Sequence, residues 1–259
     1  MDLGIKGRKA IICASTRGLG KACAVALAEA GCEVVINGRD PAAMAEAAKE
    51  IRHRHGVVVH EVIADISTRE GQRALLAACP EPDILVNNNG GPPPEDFRDL
   101  DRDQMMAGVI GNMITPIELI QSVVDGMAER GFGRIVNITS TTVYQPVERL
   151  ELSSAARAGL QAFVGSVSRS VAARNVTINN LLPGTFYTDR SRAMAAEVAS
   201  RTERSVEEVV AERASTRITK RFGRPEEFGA ACAFLCAATS GYIVGQSIRI
   251  DGGTYASSF

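Results

Sequence analysis

The stretch from Arg8 to Asn37 constrains the fold more than any other part of the chain. Arg8-Lys9-Ala10-Ile11-Ile12-Cys13-Ala14 is short and nearly all apolar, and reads as a buried strand. Ser15-Thr16-Arg17-Gly18-Leu19-Gly20 is a tight glycine turn. Lys21 to Ala30 reads as a helix ended by Gly31, and Glu33 to Asn37 as a second strand. Strand, glycine turn, helix, strand is half of a nucleotide-binding βαβ unit. Glycine serves there because a phosphate approaches bare backbone and because the helix starts close against the strand. The helix N-terminus then offers unpaired N–H groups and partial positive charge to a pyrophosphate. Ser15, Arg17, Gly18, Leu19 and Gly20 are the first candidate cofactor residues.

The same alternation of strand and helix continues downstream. Asn37-Gly38-Arg39-Asp40-Pro41 ends the second strand, with Asp40 as N-cap and Pro41 at the first position of a helix running to His55. In NAD-binding units an acid roughly twenty residues past the glycines holds the ribose 2′-OH. No acid ends this strand. Arg39 and Arg17 instead suit a 2′-phosphate clamped from two sides, which favours NADP(H) and leaves NAD(H) possible. Val57 to Ile63 is a third strand, followed by Asp65-Ile66 at its carboxyl end, where ligands of α/β sheets bind. Asp65 also reads as a cap for a helix from Ser67 onward. Asp83 to Asn87 is a fourth strand entering Asn87-Asn88-Asn89-Gly90-Gly91, and Pro92-Pro93-Pro94 stiffens the loop beyond.

Gln104 to Arg130 reads as one helix or a broken pair, carrying Asn112 in its middle. Gly133 to Ser140 is a fifth strand. The next helix starts near Leu152 and bears small residues at Ala155, Ala158, Gly159, Ala162, Gly165 and Ser166, a face suited to a subunit contact or to packing within the domain. Val176 to Leu182 is a sixth strand ending at Pro183-Gly184-Thr185-Phe186-Tyr187-Thr188. Residues 189–216 are charged and alanine-rich, read as two helices forming a substrate lid. Pro225 with Glu226 and Glu227 opens another helix, and 245–253 is a last strand and turn.

Composition excludes several classes. With 259 residues, 45% of them hydrophobic, the chain suits one α/β domain with a full core. A net charge of −1 gives no basic stripe for nucleic acid. No uninterrupted apolar run reaches membrane-spanning length, and the first residues lack a signal-peptide pattern. The six cysteines form no C-x-x-C pair and read as small core residues in a reducing cytoplasm. His53, His55 and His60 have no carboxylate or cysteine at ligand spacing, so no metal is expected.

Taken together, Cys13-Ala14-x-x-x-Gly18-x-Gly20, Asn87-Asn88-x-Gly90, Ser140, Pro183-Gly184-x-x-x-Thr188 and Asp251-Gly252-Gly253 resemble the short-chain dehydrogenase/reductase family in order and spacing. The similarity covers essentially the whole chain and is nearest to 3-oxoacyl-acyl-carrier-protein reductases. It implies a single-domain Rossmann fold, a doubly wound parallel sheet of about seven strands. It also implies a nicotinamide dinucleotide cofactor, a small carbonyl or alcohol substrate, and a homotetramer. By resemblance Asp65 accepts from the adenine amino group, Asn112 holds a water of the proton relay, and Pro183, Gly184 and Thr188 hold the nicotinamide carboxamide. Asn88 and Ile66 lie in the corresponding cofactor segments.

Three positions depart from the family pattern in ways that matter. Ala14 stands where the first glycine belongs, tolerable only at negative φ. The family's chemistry rests on a serine plus Y-x-x-x-K: the tyrosine moves a proton, and the lysine binds the ribose and lowers the tyrosine pKa. The family's spacing leads from Ser140 to Ser153 and Arg157, so serine replaces the tyrosine and arginine the lysine. Arg157 keeps a positive charge for ribose hydroxyls but releases no proton at working pH. Ser153 is a poor acid without a base. Three readings follow. The proton donor is relocated, to Tyr144 first or Tyr187 second; or water ordered by Ser140, Ser153 and Asn112 supplies the proton; or the chain binds dinucleotide without turnover, as a redox sensor or structural subunit.

Overall fold

The computed structural model describes residues 2–257. Its centre is a seven-stranded parallel sheet in the order β3-β2-β1-β4-β5-β6-β7. The strands are β1 (Lys9–Ile12), β2 (Glu33–Gly38), β3 (Val59–Ile63), β4 (Ile84–Asn87), β5 (Gly133–Ile138), β6 (Val176–Pro183) and β7 (Ser247–Ile250). Among the described residues nine α-helices connect them: α1 (Gly18–Glu29), α2 (Pro41–His55), α3 (Arg69–Ala78), α4 (Arg102–Val109), α5 (Thr115–Glu129), α6 (Glu151–Val171), α7 (Asp189–Thr202), α8 (Val206–Ser215) and α9 (Pro225–Cys236). The expected single-domain α/β fold is present. The order reverses between β1 and β4, the switch point beside which doubly wound sheets bind ligands at their carboxyl edge.

Alternation along each strand divides the core into two layers. Ile12, Ile36 and Val86 face Leu27, Met44, Ile51 and Phe228 beneath α1, α2 and α9. Their neighbours Ile11, Val35 and Leu85 face Leu75, Leu119, Val123 and Leu160 beneath α3, α5 and α6. Successive strand side chains point to opposite faces, so a run apolar at every position becomes a strand covered on both sides. Each such buried aliphatic side chain contributes about 1.5–3 kcal/mol. All six cysteines are free and buried. Burial pushes the Cys13 thiol up to about 12, so it packs as a neutral group.

Several boundaries match the sequence reading. Asp40 caps α2 by accepting from Ala42 N and Ala43 N, and Gly56 ends that helix in the left-handed region. Pro225 opens α9 at the first helical turn. Asp65 does not cap α3; Thr68 does, accepting from Gly71 N. The long helical stretch from Arg102 to Glu129 is one continuous run in which a π-turn, Ile110–Ile114, separates α4 from α5. By length and composition this run is apolar enough to cross a membrane, contrary to the expectation that none would be. Its apolar side instead lies on the sheet, with Leu119, Ile120, Val123 and Met127 buried.

Arg134 is a structural surprise. It is fully buried at the edge of β5 and α9, yet its guanidinium donates to the carbonyls of Ala237, Gly133, Asn175 and Ala238 and to Asn175 Oδ1. It stacks 4.4 Å from the centre of the Phe132 ring. Burial lowers its pKa, but no plausible shift discharges a guanidinium near neutrality.

Candidate active site

The glycine turn sits at the carboxyl end of β1. Gly18 has φ +57, and a Cβ there would meet only Thr188 Cγ2, at 3.9 Å. Gly20 allows no side chain: a Cβ would lie 2.3 Å from Ala14 O and 2.7 Å from Asn88 Nδ2. This is the close helix–strand approach for which glycine is required. Arg17, the N-cap of α1, caps no backbone N–H with its side chain, and the first turn of α1 contains no acid. The N–H groups that begin α1 therefore lack a side-chain acceptor, unlike those of α2, α3, α4, α7 and α8. An anion fits that helix end.

Ala14 has φ +43, so the alanine occupies a left-handed conformation that favours glycine. The condition under which its methyl would be harmless is not met. Two asparagines hold it there. Ala14 N donates to Asn37 Oδ1 at 3.1 Å, and Ala14 O accepts from Asn88 Nδ2 at 3.0 Å. Ser15 is fully buried; its hydroxyl donates to Ile12 O at 2.7 Å and accepts from Asn37 N at 3.0 Å. That side chain locks β1 to β2 and is not offered to the cleft.

The two arginines expected to clamp a phosphate are both exposed and both paired. Arg17 Nη2 meets Asp40 Oδ2 at 2.6 Å, and Arg39 Nη1 meets Asp65 Oδ2 at 3.4 Å. Hydrogen bonds from Ala43 N and Ser67 N, more than the arginines themselves, hold the Asp40 and Asp65 carboxyls below the usual range. Ile66, at the end of the β3 connection, is buried, and Leu19 is half-buried against the core.

On the far side of the switch point, Ser140 extends from β5. Its Oγ accepts from Thr142 N at 3.1 Å and lies 2.9 Å from Thr142 Oγ1. Thr141 Oγ1 donates to Pro183 O at 3.2 Å, fastening the loop after β5 to the end of β6. Gly184 is needed for packing against the last turn, since a Cβ would lie 2.7 Å from Asp251 Cα. Thr188 caps α7 opposite Gly18.

Ser153 and Arg157 occupy successive turns of α6 and are bonded to each other. Arg157 Nε donates to Ser153 Oγ at 3.2 Å; Nη1 donates to Ile138 O at 2.7 Å and Thr139 O at 3.1 Å; Nη2 reaches Asn89 O at 3.5 Å. Burial, with the nearby Arg190 charge, pulls the Arg157 guanidinium down to about 10, so it remains charged near neutrality. Asn112 lies on the π-turn, a feature that recurs at functional sites. Its Nδ2 donates to Gly90 O at 3.2 Å, while its Oδ1 is buried without a partner, as are Asn87 Oδ1 and Thr115 Oγ1. Asn87, Asn112, Thr115 and Arg157, with Ile66, Ile138 and Leu160, line a cavity of about 20 Å³, room for one water.

Tyr144 is partly exposed, tilted against Tyr255 with ring centres 5.8 Å apart, and Arg249 lies over both rings. Tyr187 stacks on Phe222. The sequence reading missed three contributors. Asn89, given no role of its own in the amide run after the fourth strand, joins the β4 end to Ser67 Oγ and Gly111 O. Gln161 donates to Thr139 Oγ1, and Arg190 reaches into the space beside Gly91. Neither had a signal of spacing.

A glycine turn, a bare helix N-terminus and a polar helix face converge at the switch point of a parallel sheet. That combination defines a Rossmann-type nucleotide-binding domain. The chain belongs to the short-chain dehydrogenase/reductase family and is an oxidoreductase of that family: residues 13–255 match the family model described as enoyl-(acyl carrier protein) reductase. It is 31% identical to the uncharacterized oxidoreductase YvaG of Bacillus subtilis, over all of both chains. It is 28% identical to the 3-oxoacyl-[acyl-carrier-protein] reductase FabG of Aquifex aeolicus, covering 98% of this chain and 100% of that one. The L-sorbose reductase of Gluconobacter frateurii, solved with NADPH and L-sorbose, superposes with a TM-score of 0.94 at 29% identity, covering 99% of this chain and 100% of that one.

Proposed function

We propose that this protein is an NADP(H)-dependent oxidoreductase that reduces a small carbonyl compound or oxidises the corresponding alcohol, with Ser153 and Arg157 in place of the family's tyrosine and lysine. The observation that carries the reading is Arg157, a fixed cation held by two sheet-end carbonyls and bonded to Ser153 at 3.2 Å. When bound, the nicotinamide supplies or accepts hydride. Gly18 to Gly20 and the N-terminus of α1 receive the pyrophosphate, Pro183, Gly184 and Thr188 flank the nicotinamide, and Arg157 donates to ribose hydroxyls. Ser140 accepts from Thr142 N, which leaves its own proton to donate to a substrate carbonyl oxygen. The small cavity that Asn112 and Arg157 line supports water as the proton source, and the hydrogen bond from Arg157 to Ser153 connects it to that hydroxyl. Tyr144 is engaged with Tyr255 and Arg249, which favours the water route over relocation to that phenol.

Arg17 and Arg39 support a preference for NADP(H), which a 2′-phosphate obtains by competing with Asp40 and Asp65 for them. NAD(H) lacks that phosphate and remains a weaker ligand. NADPH in the sorbose reductase structure supports the same choice. Helices α7 and α8 pack on each other through Ala195, Ala199 and Val209, which supports a lid over residues 189–216 that moves as a unit. Ala155, Ala162 and Gly165 are exposed along α6, which supports a subunit contact within a homotetramer, while Gly159 packs inside the domain on Met113. Unpaired buried thiols suit a cytoplasmic protein.

NADPH oxidation at high protein concentration, with a panel of ketones and β-ketoacyl thioesters, tests the reading. Carbonyl-dependent turnover supports it. NADPH binding without turnover on any carbonyl replaces it with the alternative, a dinucleotide-binding protein whose Ser153 and Arg157 are too weak as acids for catalysis.

A further inference from the structure

Ser153, Arg157 and Gln161 follow one another at intervals of four along α6, so they share one face of that helix. The last two reach the end of β5. Arg157 Nη1 donates to Ile138 O and Thr139 O, and Gln161 Nε2 donates to Thr139 Oγ1 at 3.1 Å. The strand ends at Ile138. Thr139 keeps one more bond to the sheet, from its N–H to Leu181 O at 2.9 Å, and Ser140 follows it directly. The carbonyl and the hydroxyl of this buried threonine are thus held by α6 at two points one helical turn apart.

Gln161 is itself held from the sheet. Asn87, Asn137, Asn180 and Ser247 stand in register on β4, β5, β6 and β7. Asn87 Nδ2 donates to Asn137 Oδ1 at 2.9 Å, Asn137 Nδ2 to Asn180 Oδ1 at 3.2 Å, and Asn180 Nδ2 to Ser247 Oγ at 3.1 Å. Ser247 Oγ then donates to Gln161 Oε1 at 3.4 Å. The three asparagines are each 3% exposed or less. Every donor in this row points the same way, from β4 toward α6. Of its four amide oxygens only Asn87 Oδ1 lacks a partner. Buried polar groups that satisfy one another rigidify their surroundings and specify one arrangement. The row ends on Gln161, whose oxygen is taken by Ser247 and whose nitrogen holds Thr139.

We propose that Gln161 is a positioning residue: by holding Thr139 it sets the carbonyl on which Arg157 is anchored and the start of the segment that carries Ser140. The inference rests on the proposed oxidoreductase function and adds to it a residue that touches neither substrate nor cofactor. Without the bond from Gln161, α6 holds Thr139 through Arg157 alone. Small displacements of reacting groups are costly, so a loosened Thr139 is felt in the rate of the chemical step before it is felt in binding.

Gln161→Met keeps the length of the side chain and removes its bonds, and Thr139→Val removes the hydroxyl and keeps the shape. With NADPH and a ketone that the parent turns over, each variant should lose about tenfold in kcat, with KM for the ketone changed by less than about twofold. The double variant should lose no more than either single one, because both remove the same bond. Arg134→Met loosens the other end of β5 and serves as the control for lost stability; it should keep the parent's kcat. A folded Gln161→Met variant with the parent's kcat would overturn the inference. So would losses that multiply in the double variant, or an equal loss in Arg134→Met. If Gln161→Met does not fold, Thr139→Val decides by the same readout. Should the parent reduce no carbonyl, the oxidoreductase reading fails separately, and solvent exchange of the Arg157 Nε–H proton, followed by nuclear magnetic resonance, decides the positioning. Gln161→Met should speed that exchange by about tenfold and leave the Arg134 Nε–H proton unchanged. Unchanged exchange at Arg157 would overturn the inference.

Discussion

Under the proposed function, replacing Ser153 by tyrosine supplies the cleft with a proton-donating phenol, and the anchoring of Arg157 bears on the size of the effect. A positioned general acid contributes about a hundredfold to ten-thousandfold, or about 3–5 kcal/mol of barrier. The family pairs that acid with a lysine. Here Arg157 is anchored independently of Ser153, by Ile138 O at 2.7 Å and Thr139 O at 3.1 Å, so the cation stays in place when its serine partner is lost. Its charge then lowers the new phenol below the usual value of about 10. Ser153→Tyr alone should therefore raise kcat/KM for ketone reduction by at least about tenfold, allowing that filling the space beside Gly91 strains the site by about 1–3 kcal/mol. Arg157→Lys alone should not raise activity, because it adds no acid. The assay is NADPH oxidation across pH with one ketone that the parent turns over, together with the NADPH Kd of each variant. Reduction consumes the phenolic proton, so the gain should be full at low pH and fall as pH rises through the lowered phenol pKa. A folded Ser153→Tyr variant that binds NADPH as the parent does, yet reduces ketones no faster, would refute the claim that the missing acid limits this protein.

Further outcomes follow from other residues. Arg134→Met strips donors from four carbonyls, two of them in buried hydrogen bonds, and should destabilise the fold by about 2–5 kcal/mol, read as a lower denaturant midpoint with an unchanged slope. Ala14→Gly removes a methyl from a position at φ +43 and should tighten NADPH binding several-fold; equal or weaker binding would show that the methyl does not crowd the cofactor. Glu227 is held at about 2, below its ordinary 4.5, chiefly by its hydrogen bonds with Arg221. A depressed carboxylate stabilises the fold fully above its unfolded value and loses that contribution as pH falls from about 4.5 toward 2, so Glu227→Gln should flatten the acid limb of a stability–pH curve.

How much of this was legible beforehand depended on the range of the interaction. Signals carried by neighbouring residues were readable: Asp40 and Pro41 starting α2, its end at His55, Pro225 opening α9, and two helices between 189 and 216. The glycine turn was readable because its glycines answer to local backbone needs. What depends on distant partners was not. The conformation of Ala14 is fixed by Asn37 on β2 and Asn88 just past the end of β4. Ser15 looked like a phosphate ligand but is drawn inward by Asn37. Arg17 and Arg39 read as free charges, and only folding brings Asp40 and Asp65 against them. Arg190 and Arg157 are far apart in sequence, so their proximity was invisible until the end of β6 was placed against α6.

The most direct test of the whole account is a fluorescence titration of the purified protein with NADPH and with NADH, run beside Gly20→Ala. A Cβ at Gly20 would stand 2.3 Å from Ala14 O, so that variant must displace the turn proposed to receive the pyrophosphate. The account predicts saturable binding of both coenzymes, NADPH the tighter, and a loss of about tenfold or more in the variant. Failure of the parent protein to take up either coenzyme at millimolar concentration, or a Gly20→Ala variant that binds as well as the parent, would contradict it.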